Sequence, residues 1–373
     1  MNPLTSVSIR HAEFPEERRV LMISDLHGHA DGLQTLLKRA HFCERDILVI
    51  VGDYVEKGPN SLKTVRYVME LCQQYTVYPL MGNVDQWRLQ CLFSDDPAVQ
   101  RDMVQYSLKA KEWWGGSFLG EMYEECGFSL QEPHDTQIVF LAIRERFAKE
   151  LTFLKNLPTM LKTQHMIFVH GGIPHERLHE LEGTPSHPLL KRDHFMDEGL
   201  SFEKYVVVGH WPTALYTASR PCGNPIIDRD RHILSLDGGC GVRSDGQLNL
   251  VCIPSGQPDA FETLTWNPLP EITALDAQDA STDFCYIRWG EDHVEVLESK
   301  DGMSRIRHQG REMDVPDAFL WESDGRTYCS NYTDYCLQVS PGDRLSLIRT
   351  ASCGCYVKKD GYTGWYKGRY QSE

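Results

Sequence analysis

Five apolar runs in the first 210 residues each lead, directly or through a glycine, into a residue able to ligate a metal ion: 19–24 into Asp25, 47–51 into Asp53, 76–81 into Asn83, 165–169 into His170 and 205–208 into His210. A sixth run, 233–236, leads into Asp237. Between the first three lie stretches of helical spacing. Leu33, Leu36 and Leu37 share one face of 31–40, and Val65, Val68, Met69 and Cys72 form a stripe along 61–74. A β-α-β-α-β order of this kind folds into neighbouring parallel strands joined by right-handed crossovers. Ligands of such sheets sit beyond the carboxyl ends of the strands, where these polar residues fall.

The residue types narrow the chemistry. Asp25 and His27, in Ser24-Asp25-Leu26-His27-Gly28, are two apart on a turn and can converge on one ion. Asp53, in Gly52-Asp53-Tyr54-Val55-Glu56-Lys57-Gly58, leaves another strand and has two oxygens with which to bridge two ions. Asn83 offers an amide oxygen, and His170 and His210 offer imidazole nitrogens. Mixed oxygen and imidazole ligation suits hard-to-borderline divalent ions. Two such ions suit attack of a metal-bound hydroxide on phosphorus. Any one of these residues reads equally well as a satisfied buried histidine or a helix cap; six at strand ends do not.

These blocks resemble the phosphoprotein phosphatase branch of the calcineurin-like metallophosphoesterases, with motifs of the form G-D-x-H-G, G-D-x-V-D-R-G, G-N-H-E, H-G-G and G-H. The likeness covers roughly residues 19–253. It implies an α/β/β/α sandwich, with Asp25, His27 and Asp53 on one metal and Asp53, Asn83, His170 and His210 on the other. Mn²⁺ is the expected ion, with Fe, Zn or Mg as alternatives. Asp237, before Gly238-Gly239, is given a supporting role. The catalytic set expected is Asp53, Arg192, Lys57 and Asp85, with Arg192 placed where bacterial relatives often bind phosphate.

The departures from the family pattern are informative. Glu56-Lys57 stands where the family has Asp-Arg, and Val84-Asp85 where it has His-Glu. Lysine keeps the charge but loses the planar fork that grips a phosphate. Valine cannot protonate a leaving oxygen, a contribution typically worth about 10²- to 10⁴-fold. Phosphoserine needs that proton far more than an aryl phosphate or an anhydride. His134, His175, His187 and His194 are candidate replacements, each read first as a surface or loop residue.

Residues 86–160 read as a helical insertion, either a cap over the site or plain packing. After residue 256 the runs become short and alternating, which predicts a second, all-β domain at 257–373 beside a catalytic domain at 1–256. No internal repeat is visible there. The segment from Gly342-Asp343 to Gly364-Trp365 resembles a bacterial SH3-like domain, where Trp365, Tyr366 and Tyr370 either line a ligand groove or, the plainer reading, pack inside a barrel. Its partner is expected to be a peptide or the catalytic domain.

A net charge of −15 argues against a nucleic-acid surface. No apolar run approaches the roughly 18 residues of a membrane span. The 12 scattered cysteines read as free thiols, and a cytoplasmic location is expected. The function expected is that of a dimetal phosphatase attacking phosphoprotein or aryl phosphomonoesters through a metal-bridging hydroxide. The alternative is hydrolysis of a dinucleoside polyphosphate or another phosphoanhydride. The rival outside the enzymes is a catalytically weakened phospho-binding scaffold.

Overall fold

The computed structural model describes residues 4–372. The chain divides into two compact units. One comprises the chain up to Pro212 with Pro225–Val242 and Gly246–Asn267; the other comprises Thr213–Asn224, Arg243–Asp245 and the chain from Pro268 onward.

In the first unit, continuous apolar runs form buried strands in two sheets. Five strands lie in the order Glu262–Trp266, Leu248–Ile253, Val20–Ile23, Ile47–Ile50 and Thr76–Pro79, and the last three are parallel. Six lie in the order Ile9–His11, Met160–Lys162, Met166–Val169, Tyr205–Val208, Ile233–Ser235 and Ile226–Asp228. Strand alternation divides the side chains between two cores. Val20, Met22, Val49 and Val51 pack with Phe168, Val207 and Leu234 of the other sheet. Leu21, Ile23, Leu48 and Ile50 face a helical layer through Leu33, Val65, Val68, Phe118 and Leu151. Each such side chain contributes about 1.5–3 kcal/mol by leaving water. The sandwich expected from the sequence is formed.

The helical layer contains α1 (Ala30–Arg39), α2 (Ser61–Gln74), α3 (Asn83–Leu92), α4 (Pro97–Trp114), α5 (Phe118–Glu125), α6 (Thr136–Arg146) and α7 (Ala148–Lys155). Local chemistry sets their ends. The Asp96 carboxylate accepts from the Ala98 N–H, Pro97 opens α4, and Gly115 closes it at φ 80°. Ser117 and Asp135 cap α5 and α6 in the same way. Glu121 of α5 accepts from the Ser61 and Leu62 N–H groups, so its carboxylate caps α2 across the layer. Insertion 86–160 is thus packed on α2 within the core of the first sheet.

The second unit holds a repeat that the sequence did not reveal. Strands His293–Lys300, Met303–His308 and Arg311–Pro316 form a meander, and Arg344–Ala351, Gly354–Lys359 and Tyr362–Tyr366 form another. Their starts, 293, 303 and 311 against 344, 354 and 362, are displaced by a constant 51 residues. Each first strand carries a register shift at the same place, between Val296 and Glu298 and between Leu347 and Arg349. In each, a fourth strand, Arg326–Cys329 or Glu271–Ala274, pairs beside the first. Asp301-Gly302, Gln309-Gly310 and Asp360-Gly361 all take positive φ, the geometry of tight hairpins. The repeat lies in turns and register, while residue identities diverge, so the sequence hides it. Trp365 and Tyr366 are buried in the cores of this unit and only Tyr370 is exposed, as the packing reading holds.

This unit is pinned by a buried ion pair. Arg243 donates to both oxygens of Asp245 at 2.8 and 3.0 Å and to Tyr286 Oη and Asn331 Oδ1, while Thr363 donates to Asp245. Burial pushes the Asp245 carboxyl up, but the Arg243 guanidinium outweighs it and holds it at about 2. A depressed acid stabilises the fold above its unfolded pKa near 3.8 and loses that contribution as pH falls toward 2. The stability advantage of wild type over Asp245→Asn is therefore expected to be full above about pH 4. It should shrink by about 2 kcal/mol by pH 2, as read from urea unfolding at each pH.

Candidate metal centre

The strand ends deliver the six predicted ligands to one place. Loops stitched together by backbone bonds hold them: Asp25 N–H to Gly52 O, His27 N–H to Asp53 O and Gly209 N–H to His170 O. Asp25, His27, Asp53 and His210 all take left-handed backbone angles, with φ of 53°, 40°, 57° and 68°. Such angles in non-glycine residues cost of order 1–3 kcal/mol each and gather at functional sites. Approach is so close that a Cβ on Gly82 would overlap Asp53 Oδ1, and one on Gly209 would overlap Asp25 Oδ2.

Asp53 sits at the centre. Its Oδ2 lies 3.6 Å from His27 Nε2 and its Oδ1 lies 3.5 Å from His170 Nε2. Asp25 Oδ1 lies 3.8 Å from His27 Nε2 and 4.0 Å from His170 Nε2. Asn83, the first residue of α3, places its Oδ1 2.9 Å from His170 Nε2 and 3.0 Å from His210 Nδ1. The rings are oriented from behind. His27 Nδ1 donates to Val55 O and His170 Nδ1 to Val51 O, which leaves each Nε2 facing the carboxylates.

This donor set fits divalent ions. Two donors about 2.1 Å from one ion stand about 3–3.5 Å apart, and the carboxylate–imidazole spacings here are close to that. The ligand atoms of Asp25, His27 and Asp53 lie within 4.8 Å of one another. Charge agrees. Asp25, Asp53 and Asp237 are each 2 % exposed, and among the described residues the ion-pair neighbours of Asp25 and Asp53 are imidazoles alone. Burial raises the Asp25 carboxyl to about 6 and pushes Asp237 well above its usual value. Burial also opposes ionisation of Asp53, but His170, His27 and Lys57 outweigh it and hold that group low. Burial, aided by Lys57, lowers His27 to about 3, which keeps it a neutral nitrogen donor. Burial would lower His170 too, yet Asp53 and Asp25 lift it to about 10, the response of an imidazole facing two buried anions.

The expected catalytic groups separate. Lys57 has no hydrogen-bond partner among the described residues, and its charge acts on His27, Asp53 and Asp237. The Asp85 carboxylate is taken up by the N–H groups of Gly82, Asp53 and Tyr54 at 2.8–3.0 Å. It therefore ties the start of α3 to the Asp53 loop. Arg192 donates from Nε and Nη2 to the two oxygens of Glu198 at 2.7 and 2.6 Å, which engages one edge of its guanidinium. Glu56 does not enter the site; it is fully buried against Arg88 of α3 at 2.9 Å. Val84 is 5 % exposed and its N–H donates to Asp53 Oδ1. Of the candidate replacement acids, His134 packs on Tyr123 and Phe128, and His175 faces Glu180. His194 bonds Asp197 and lies against Trp211, beside the His210 loop. Sequence reasoning missed Asp193, whose Oδ1 lies 2.7 Å from His210 Nε2 and which His210 and Lys191 hold well below the usual carboxylate range. An exposed loop aspartate carries no pattern that would have announced it.

Two packed sheets with carboxylates and imidazoles converging at their strand ends define a metal-dependent phosphoesterase. The sequence profile described as Calcineurin-like phosphoesterase matches residues 18–240, and the chain belongs to that family. It is 37% identical over 264 residues to a protein of Vibrio cholerae serotype O1 named bis(5'-nucleosyl)-tetraphosphatase, symmetrical, covering 68% of this chain and 80% of that one. A relative of the same name from Photobacterium profundum is 33% identical over 267 residues, with the same coverage. Among solved structures, a cold-active protein-tyrosine phosphatase of a Shewanella species aligns over 71% of this chain and 84% of its own at 18% identity, with a TM-score of 0.39. Among the described residues, no helix is long and apolar enough to cross a membrane, and the 12 cysteines are free.

Proposed function

We propose that this chain hydrolyses dinucleoside tetraphosphates symmetrically, cutting a phosphoanhydride to give two nucleoside diphosphates. The named relatives favour this alternative over the phosphomonoester reading. The observation that carries it is Val84: at the start of α3, where the family's phosphatases place a histidine, the side chain is a buried aliphatic. An alkoxide leaving group needs a proton there, whereas a nucleoside diphosphate departs as a stabilised anion without one.

Asp25, His27 and Asp53 would hold one divalent ion, and Asp53, Asn83, His170 and His210 a second. When bound, the pair supplies Lewis-acid polarisation of the phosphoryl oxygens and a lowered pKa for the attacking water. The protein's own groups do the rest. Val55 O and Val51 O fix the ring orientation of His27 and His170. Asp85 fixes the Asp53 loop against α3. The Lys57 ammonium offsets the charge of the polyphosphate. The P–O–P bond breaks, water supplies the new oxygen, and the leaving diphosphate keeps the bridging one.

The test is chromatography of products from diadenosine tetraphosphate and metal-refilled protein, with Mn²⁺ tried first for its tolerance of mixed oxygen and nitrogen donors. ADP as the single product is expected, with kcat/KM at least about 10²-fold above that for an alkyl phosphate monoester. ATP plus AMP would sink the symmetrical reading. Comparable turnover of phosphoserine peptide would restore the monoesterase.

A further inference from the structure

We infer that an aromatic ledge beside the metal centre, built from Trp87, Tyr106 and Trp114, binds a nucleobase by stacking. As a substrate subsite it rests on the tetraphosphatase reading; as a nucleotide-binding surface it stands on the geometry alone. Trp87 lies four residues after Asn83 on α3, so the two share a face, about 6 Å apart along the axis. The indole is nevertheless 49 % exposed.

Its surroundings make it a fixed surface rather than a loose side chain. The Arg88 guanidinium lies 4.0 Å from the Trp87 ring centroid and 3.9 Å from that of Tyr106, and is itself 1 % exposed. Glu56, from the loop after Asp53, holds that guanidinium at 2.9 Å. One face of the indole is thus occupied by a buried cation anchored to the catalytic loop, and exposure remains on the rest of the ring. Tyr106 meets Trp87 edge-on at 5.9 Å and lies 6.2 Å from Trp114, which Trp113, 59 % exposed, meets edge-on at 5.3 Å. The end of α4 abuts the same loop: a Cβ on Gly116 would stand 3.2 Å from Pro59 O, two residues past Lys57.

Trp87 and Trp113 are exposed and Tyr106 and Trp114 half-buried, and a contiguous apolar surface of this kind marks a binding site. Water is a poor partner for these rings, whereas a base linked to phosphates held at Asn83 and Lys57 offers a flat π-face within reach. Stacking accepts any base, so adenine and guanine nucleotides are expected to bind alike.

The experiment compares ADP with pyrophosphate, which lacks the base, by calorimetry on the Mn²⁺-loaded full chain. Trp87→Ala is expected to raise the Kd for ADP about 10- to 100-fold and that for pyrophosphate no more than about 2-fold, with Trp87→Phe retaining most of the ADP affinity. Equal weakening of both ligands, or of neither, overturns the ledge, even if diadenosine tetraphosphate is hydrolysed to ADP. Selective loss of ADP binding in a chain that leaves diadenosine tetraphosphate intact keeps the ledge as a nucleotide site and overturns the tetraphosphatase reading instead.

Discussion

Asp53→Asn is expected to cut turnover by about 10³-fold or more, equivalent to roughly 4 kcal/mol of transition-state stabilisation, while leaving the fold intact. Asp53 is the residue whose two oxygens face two different imidazoles, His27 at 3.6 Å and His170 at 3.5 Å. Asparagine keeps an oxygen that can accept the Val84 N–H but removes the charge and one ligand oxygen. A carboxylate that would be shared by two ions would weaken its hold on both by that change, whereas a peripheral one would lose little. A second readout separates the two cases without chemistry. Ligands that bind only the native state raise its unfolding midpoint by mass action, so Mn²⁺ should stabilise wild type against heat and stabilise Asp53→Asn much less. Turnover within about tenfold of wild type, together with an unchanged Mn²⁺ shift, would remove Asp53 from the centre and return the cluster to a structural role.

The gathering of Asp25, Asp53, Asn83, His170 and His210 was legible because they follow continuous apolar runs, and such runs announce buried parallel strands whatever packs around them. The helix expected at 61–74 is α2, Ser61–Gln74, for a similar reason: its apolar stripe faces the sheet. What the sequence withheld depends on pairing or on direction. Ile9–His11 is a three-residue edge strand whose one partner is Met160–Lys162, some 150 positions away. Glu262–Trp266, past the change of pattern at residue 256, pairs with Leu248–Ile253, and its exposed half gives little apolar signal. Within the helical insertion expected at 86–160, Thr136–Arg146 and Ala148–Lys155 are separate helices divided at the buried Phe147. Arg192 and Asp85 are expected from the motifs as catalytic groups, but a sequence gives no side-chain direction: in the structure Glu198 pairs with Arg192, and the backbone N–H groups of the Asp53 loop bond the Asp85 carboxylate.

Glu56 is the sharpest instance, and it carries the largest stability effect expected of the molecule. Aligned with the motif it stands where the family has an aspartate; folded, it turns into α3 and meets Arg88, the pair being 0 % and 1 % exposed. Burial pushes the Glu56 carboxyl up and Arg88 works against that. The 2.9 Å approach is not aligned as a linear hydrogen bond, so Coulomb attraction holds the pair. Such a pair adds little net stability over apolar residues of the same shape, yet removing one member strands the other without solvent. Arg88→Ala should therefore lower the unfolding free energy by about 3–5 kcal/mol, or about 10 °C in Tm for a unit of this size. The double variant Glu56→Gln, Arg88→Met should recover most of that loss, because no uncompensated charge remains. A double-mutant cycle in urea gives the coupling directly. If the double variant is as unstable as Arg88→Ala, the cost lies in lost packing of the guanidinium between Trp87 and Tyr106, and the charge pair is incidental. If it recovers, the charge pair is what couples the loop after Asp53 to the helix that begins at Asn83, and the Glu56 carboxylate supports that helix from a buried position.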